Sequence, residues 1–119
     1  MQKVNIIKKL AQFSEYWKPR VVAELNDQYV KLAKFKGAFP WHKHDNEDEL
    51  FFVVKGKFRV EFRDKIVELN ENEFLVVPKG VEHRSVADEE VEVMLFEPKT
   101  TLNTGSALNE FTHDKLDKI

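Results

Sequence analysis

The stretch Gly37-Ala38-Phe39-Pro40-Trp41-His42-Lys43-His44-Asp45-Asn46-Glu47-Asp48-Glu49, running on through Leu50–Lys55 to Gly56, decides how this chain is read. Side chains two apart on an extended strand point the same way, so His42 and His44 aim two imidazoles at one point. Asp45–Asp48 has the composition of a turn. Beyond it Glu49 opens the next strand and can return a carboxylate to that point, with Asp45, Glu47 and Asp48 as competing acids. Further on, Pro78-Lys79-Gly80-Val81-Glu82-His83 sets another imidazole just after a tight turn. Neutral imidazoles joined by a carboxylate suit Fe, Mn, Ni, Cu or Zn as divalent ions and suit Ca²⁺ or Mg²⁺ poorly.

Outward from this stretch the pattern is one of short strands. Arg20–Leu25 and Gln28–Lys36 are β-branched and aromatic runs separated by Asn26-Asp27, a turn-forming pair. Leu50–Lys55 and Lys57–Arg63 flank Gly56, and Phe58, Val60 and Phe62 alternate with Arg59, Glu61 and Arg63. Asp64-Lys65 turns the chain into Ile66–Leu69, and Glu73–Val77 and Val91–Glu97 follow, with Pro78-Lys79-Gly80 as a turn between them. Strands at this spacing predict an all-β sandwich or barrel. Phe51–Val54 and Phe74–Val77 do not alternate, which predicts burial on both faces, one lining the barrel and the other meeting the helix, the other sheet or a second subunit. Residues 5–17 predict a short amphipathic helix, with Ile6, Leu10, Phe13 and Trp17 at helical spacing, Asn5 as N-cap and Pro19 ending it. The tail 99–119 is polar, with Phe111, Leu116 and Ile119 available for docking on the barrel or a partner.

These residues resemble the motifs of the cupin superfamily. Its first motif is a Gly, then His-x-His, a Glu three or four residues later, six residues and a Gly. Gly37, His42, His44, Glu49 and Gly56 match it, with Gly37 one residue closer to His42 than usual. The second motif is a Gly, five residues, Pro-x-Gly-x-x-His, three residues and an Asn. Pro78, Gly80 and His83 match, while Asn72 stands where the Gly is expected and Ala87 where the Asn is expected. The resemblance implies a small cupin: a double-stranded β-helix, or jelly-roll barrel, over residues 19–98, preceded by a helical segment over 1–18. It also implies His42, His44, Glu49 and His83 as ligands of a divalent transition metal. Among the neighbouring acids only Glu49 has the family's spacing to Gly56, which leaves Asp45, Glu47 and Asp48 to a solvated turn.

Strand parity points Trp41 and Lys43 away from the metal, so Trp41 is read as packing or interface, whereas Ser85 shares parity with His83. On the last strand either Glu92, Met94 and Phe96 or Val91, Val93 and Leu95 face the cavity. On Gln28–Lys36 it is either Tyr29, Lys31, Ala33 and Phe35 or Val30, Leu32 and Lys34. His113 in the polar tail is expected to face solvent.

Composition bounds the function. The 119 residues make a single domain, 1–119, with 42% hydrophobic and 34% charged residues. Lys plus Arg total 19 against 21 Asp plus Glu, so a net charge of -2 offers no basic footprint for nucleic acid. One N-terminal helix is too little for a helix-turn-helix. With no cysteine, thiolate metal sites, disulfides and a cysteine nucleophile are excluded. No signal-peptide or membrane-spanning run is present, and a cytoplasmic protein is expected. Three functions fit: a metalloenzyme of oxygenase or isomerase type acting on a small oxygen-bearing molecule, a non-catalytic module that binds or senses a small molecule or sugar with a metal in place, or a structural or storage-type barrel that binds no metal. A homodimer pairing sheets is expected from the resemblance.

Overall fold

Antiparallel pairing organises the chain in the computed structural model, which describes residues 1–119. The elements are α1 (Ile6–Leu10), β1 (Arg20–Leu25), β2 (Gln28–Ala38), β3 (Glu49–Lys55), β4 (Phe58–Phe62), β5 (Ile66–Leu69), β6 (Phe74–Val77) and β7 (His83–Pro98). Hydrogen bonding runs β1-β2-β7-β3-β6, and β4 pairs with both β5 and β7. This is the all-β barrel expected, with a short N-terminal helix.

The last strand is longer than its apolar run suggested. It begins at His83 rather than Val91 and spans 16 residues. Its first half lies against β4, with His83 opposite Phe62 and Ser85 opposite Val60. Its second half lies between β2 and β3, with Leu95 opposite both Lys31 and Phe51. Asp88-Glu89-Glu90 looks like a break because it is acidic and exposed. Side-chain bonds hold it in the strand: Arg59 donates to Asp88 at 3.2 Å, and the Tyr16 hydroxyl donates to Glu90 at 3.0 Å.

The helix is shorter than its periodicity suggested. Asn5 does cap it, accepting from the Lys8 amide at 3.0 Å. The helix stops at Leu10, its one buried residue. A helix this short is not self-sustaining, so tertiary packing dictates the path of the chain from there to Pro19. The Trp17 amide donates to the Lys34 carbonyl at 2.9 Å, and its indole Nε1 donates to Lys36 O at 2.9 Å. Its ring stacks on Phe35 with centroids 4.4 Å apart. Trp17 adopts a φ of 61° to do so, a costly backbone state for a bulky residue that core burial of the ring offsets.

On β2 Leu32 is as buried as Ala33, so burial alone does not resolve the parity, and the shared core does. Lys31, Ala33 and Phe35 of β2 and Val91, Val93, Leu95 and Glu97 of β7 point inward. They join Trp17, Phe39, Phe51, Val53, Phe58 and Val60 in and around one core. The expectation that β3 and β6 are buried on both faces is not met within one chain. Phe51 and Val53 are buried, but Phe74 and Val76 are 62% and 46% exposed. Leu50, Phe52, Met94 and Phe96 lie beside them in register, forming a continuous apolar outer face. The tail docks by its ends: the Phe111 ring meets Phe39 at 5.4 Å, and the Ile119 amide donates to Val21 O at 3.0 Å.

Candidate metal centre

His42 and His83 face each other across a short antiparallel bridge. Each backbone amide donates to the other's carbonyl, at 3.0 and 2.9 Å. Two residues along, the His44 carbonyl accepts from the Gly80 amide at 2.7 Å, tying the Pro78-Lys79-Gly80 turn to the His-x-His segment. Gly80 has a φ of 80°, which that turn requires. Asp48 reinforces the junction by accepting from the Lys79 amide at 2.8 Å. Glu47 accepts from the Thr100 hydroxyl, and Asp45 sits 3.6 Å from Lys43. The competing acids thus serve the turn and the tail, and Glu49, the first residue of β3, is the acid among the histidines.

His42, His44, Glu49 and His83 each present one donor atom, and all of these lie within 4.8 Å of one another. All four side chains are buried. Glu49 Oε1 is 3.3 Å from His83 Nε2 and 3.4 Å from His44 Nε2. Nδ1 of His42 and of His83 faces a backbone carbonyl, Pro40 O and Val81 O respectively, each at 2.9 Å. An N–H in that direction leaves the Nε2 lone pair pointing inward, the tautomer a metal ligand needs. His44 supplies the test of fit. Its ring is 3% exposed, yet neither nitrogen makes an aligned hydrogen bond. Buried polar atoms are nearly always paired. An orphaned imidazole beside a carboxylate and two preset histidines matches the donor chemistry of a divalent transition ion.

The electrostatics fit as well. Burial opposes the charge on Glu49, but His44 and His83 outweigh it and hold the carboxyl well below its usual range. His42 is lowered to about 4, first by burial and then by His83. Burial alone would lower His44 too; the Glu49 carboxylate reverses this and leaves it raised.

The departures from the family pattern find a physical account. Asn72 has a φ of 68°, the left-handed conformation a glycine would take and that Asn tolerates better than most residues. Ala87 is buried in the core. Trp41 turns outward, its ring under the Arg63 guanidinium at 3.8 Å, as parity predicted. Ser85 is buried beside the cluster, and His113, half-buried in the tail, is not one of the clustered residues.

Two site residues were not singled out from the sequence. Glu97 and Lys31 are 2% and 1% exposed and paired at 2.7 Å. Burial and then the Glu49 charge push the Glu97 carboxyl well above its usual range. The available signal was one charged residue on the apolar parity of each strand: Glu97 with Val91, Val93 and Leu95, and Lys31 with Ala33 and Phe35. A cavity of about 30 Å³ adjoins the cluster, with Trp17, Phe35 and Phe39 on its apolar side and Ser85 and Glu97 on its polar side. The tail closes over the neighbouring segment. The Ser106 amide donates to Lys43 O at 3.2 Å, and Gly105 sits so close that a Cβ there would lie 1.9 Å from that oxygen and 3.3 Å from His44 Nδ1.

Comparison with known proteins bears on this geometry. The model of the cupin domain matches residues 28–99. The uncharacterised protein YdbB of Bacillus subtilis is 43% identical over 65 residues, 54% of this chain and 58% of that protein. The match therefore spans little more than half of that relative's length. The crystal structure of a cupin-2 domain containing protein from Shewanella frigidimarina superposes with a TM-score of 0.80 and 44% identity, covering 81% of this chain and 94% of that one. Protein NMB1881 from Neisseria meningitidis gives 0.76 and 31%, covering 82% and 100%. Motif residues, barrel and relatives agree, and the chain belongs to the cupin family.

Proposed function

We propose that His42, His44, Glu49 and His83 bind one divalent transition metal, and that the protein is a small metalloenzyme of oxygenase or isomerase type acting on a small oxygen-bearing molecule. The observation that carries this reading is the His44 ring, buried with no aligned hydrogen bond at either nitrogen, among donors already turned toward one point. When bound, such a metal supplies Lewis acidity and coordination positions for oxygen ligands. The protein's share is positional. Pro40 and Val81 carbonyls fix the orientation of His42 and His83. Trp17, Phe35 and Phe39 keep the adjoining cavity apolar and so strengthen the polar interactions made there.

The cavity's size favours a second reading, in which the metal helps hold a small ligand without turnover. As the side chains stand, about 30 Å³ admits little more than a water-sized group. Oxygen uptake and isomerisation assays on metal-loaded protein, against small keto, diol and sugar compounds, separate the two. Metal-dependent turnover that is absent from Glu49→Ala supports the enzyme. Tight binding without turnover supports the binding module.

The apolar outer face formed by Leu50, Phe52, Phe74, Val76, Met94 and Phe96 is proposed to pack on the same face of a second copy. β6 is an edge strand of this sheet, and a two-fold contact would cover both copies' exposed Phe74 and Val76.

A further inference from the structure

The Lys31–Glu97 pair does more than fill the barrel. Both side chains are withdrawn from solvent, which is costly for charged groups and often no better for stability than an apolar pair of similar size. A purely structural role would use both carboxylate oxygens. Here Oε1 meets Lys31 Nζ at 2.7 Å, while Oε2 is buried and no donor of the chain reaches it, the Glu97 carboxyl otherwise lying within hydrogen-bond reach of the Glu49 carboxylate alone. Glu97 also borders the cavity that His42, Glu49 and Ser85 border. One oxygen is anchored on Lys31 and the other accepts from no donor of the folded chain.

We propose that Glu97, positioned by Lys31, is a ligand-contacting residue of this cavity, and that the ligand presents a hydroxyl group to it. This deepens the metal-dependent reading above and rests on it. A hydroxyl both donates and accepts, so it can pair with a carboxyl group in either protonation state. A carboxylate or phosphate oxygen brings no proton to Glu97, whose cation partner Lys31 is already engaged, and such a group is better met by the metal. Volume narrows the class further. About 30 Å³ holds a hydroxyl with its carbon but not a ring, since a cavity near ~150 Å³ is what accommodates benzene. The group that enters is therefore a hydroxyl or hydroxymethyl arm of a small molecule. Ser85, 3% exposed on the same side, is placed to share the contact.

Glycolate and acetate form the test pair, because they share a carboxylate and differ by one hydroxyl. Both are titrated into Zn(II)-loaded wild type and the Lys31→Met/Glu97→Met double variant, which removes the pair without stranding a charge. The expected result is unchanged zinc content with the wild type's preference for glycolate over acetate reduced about tenfold, the effect of losing a charge-assisted hydrogen bond. An unchanged preference at full zinc content overturns the proposal. If the double variant does not fold, nuclear Overhauser contacts in the wild type decide. Contacts from the glycolate methylene to Ser85 and the Trp17 ring support the assignment, and their absence at saturation overturns it. Wild type that takes up no zinc defeats the metal reading instead, and the same contacts in metal-free protein then decide this inference alone.

Discussion

Replacing Gly105 with alanine tests how the tail is seated on the site. Gly105 has a φ of 59°, and left-handed backbone costs an alanine about 1–2 kcal/mol. The new Cβ would also stand 1.9 Å from Lys43 O and 2.7 Å from the Lys43 carbonyl carbon. Both are backbone atoms in the segment between His42 and His44, so the tail must yield. Moving it sacrifices the bond from the Ser106 amide to Lys43 O, worth about 1 kcal/mol. The expected total is about 2–4 kcal/mol, conformational cost, lost bond and collision together. Gly80→Ala is the internal control: φ there is 80°, but nothing lies within 4 Å of the added atom, so only the conformational cost applies. Denaturant unfolding of both variants should place Gly105→Ala at least ~1 kcal/mol below Gly80→Ala, from the lost bond and the collision. A chelator should also strip metal faster from Gly105→Ala, because the displaced segment covers His44. Equal stabilities for the two variants would refute the close seating of the tail.

His44 is raised above its ordinary 6.5 in the metal-free protein, so the stability it contributes is complete below that value and is lost as pH climbs through the raised one. Metal binding needs the ring neutral, so zinc affinity should rise over the same interval; thermal melts of metal-free and zinc-loaded protein against pH check both signs. A charge on the apolar outer face, Phe74→Lys or Val76→Lys, should abolish the proposed two-fold contact, giving a monomer in light scattering where wild type gives a dimer, while leaving the fold and metal uptake intact. Asn72→Gly should keep or slightly raise stability at its φ of 68°, whereas Asn72→Val should cost about 1–2 kcal/mol, read from unfolding midpoints.

What was legible in the sequence was what depends on short range. Period-two parity placed His42 beside His44 and turned Trp41 outward, and the turn residues located most strand ends. The full ligand set came with the cupin resemblance, whose motif spacing picked Glu49 from among Asp45, Glu47 and Asp48 and added His83. What escaped reading depends on partners distant in the chain. Trp17 has a helical spacing to Phe13, but stacking on Phe35 and bonding to Lys36 O outweigh a helix too short to hold itself. Asp88–Glu90 continue β7 because Arg59 and Tyr16 meet them from elsewhere. Lys31 stood in one of two sets that could face the cavity and Glu97 was not singled out, and only the pairing of β2 with β7 brings the two together. Phe74 and Val76 read as buried from hydrophobicity, which left the helix, the other sheet and a second subunit open as the cover, and within the chain they stay exposed.

Metal stoichiometry tests the central claim most directly. Untagged protein, wild type and the variants Glu49→Ala and His83→Ala, is dialysed against Fe, Mn, Ni, Cu and Zn salts and analysed for its elements. A four-ligand centre predicts about one transition ion per wild-type chain, with binding weakened by at least about tenfold in either variant and the fold intact. Wild type that retains none of these ions, or variants that retain as much as wild type, would contradict it.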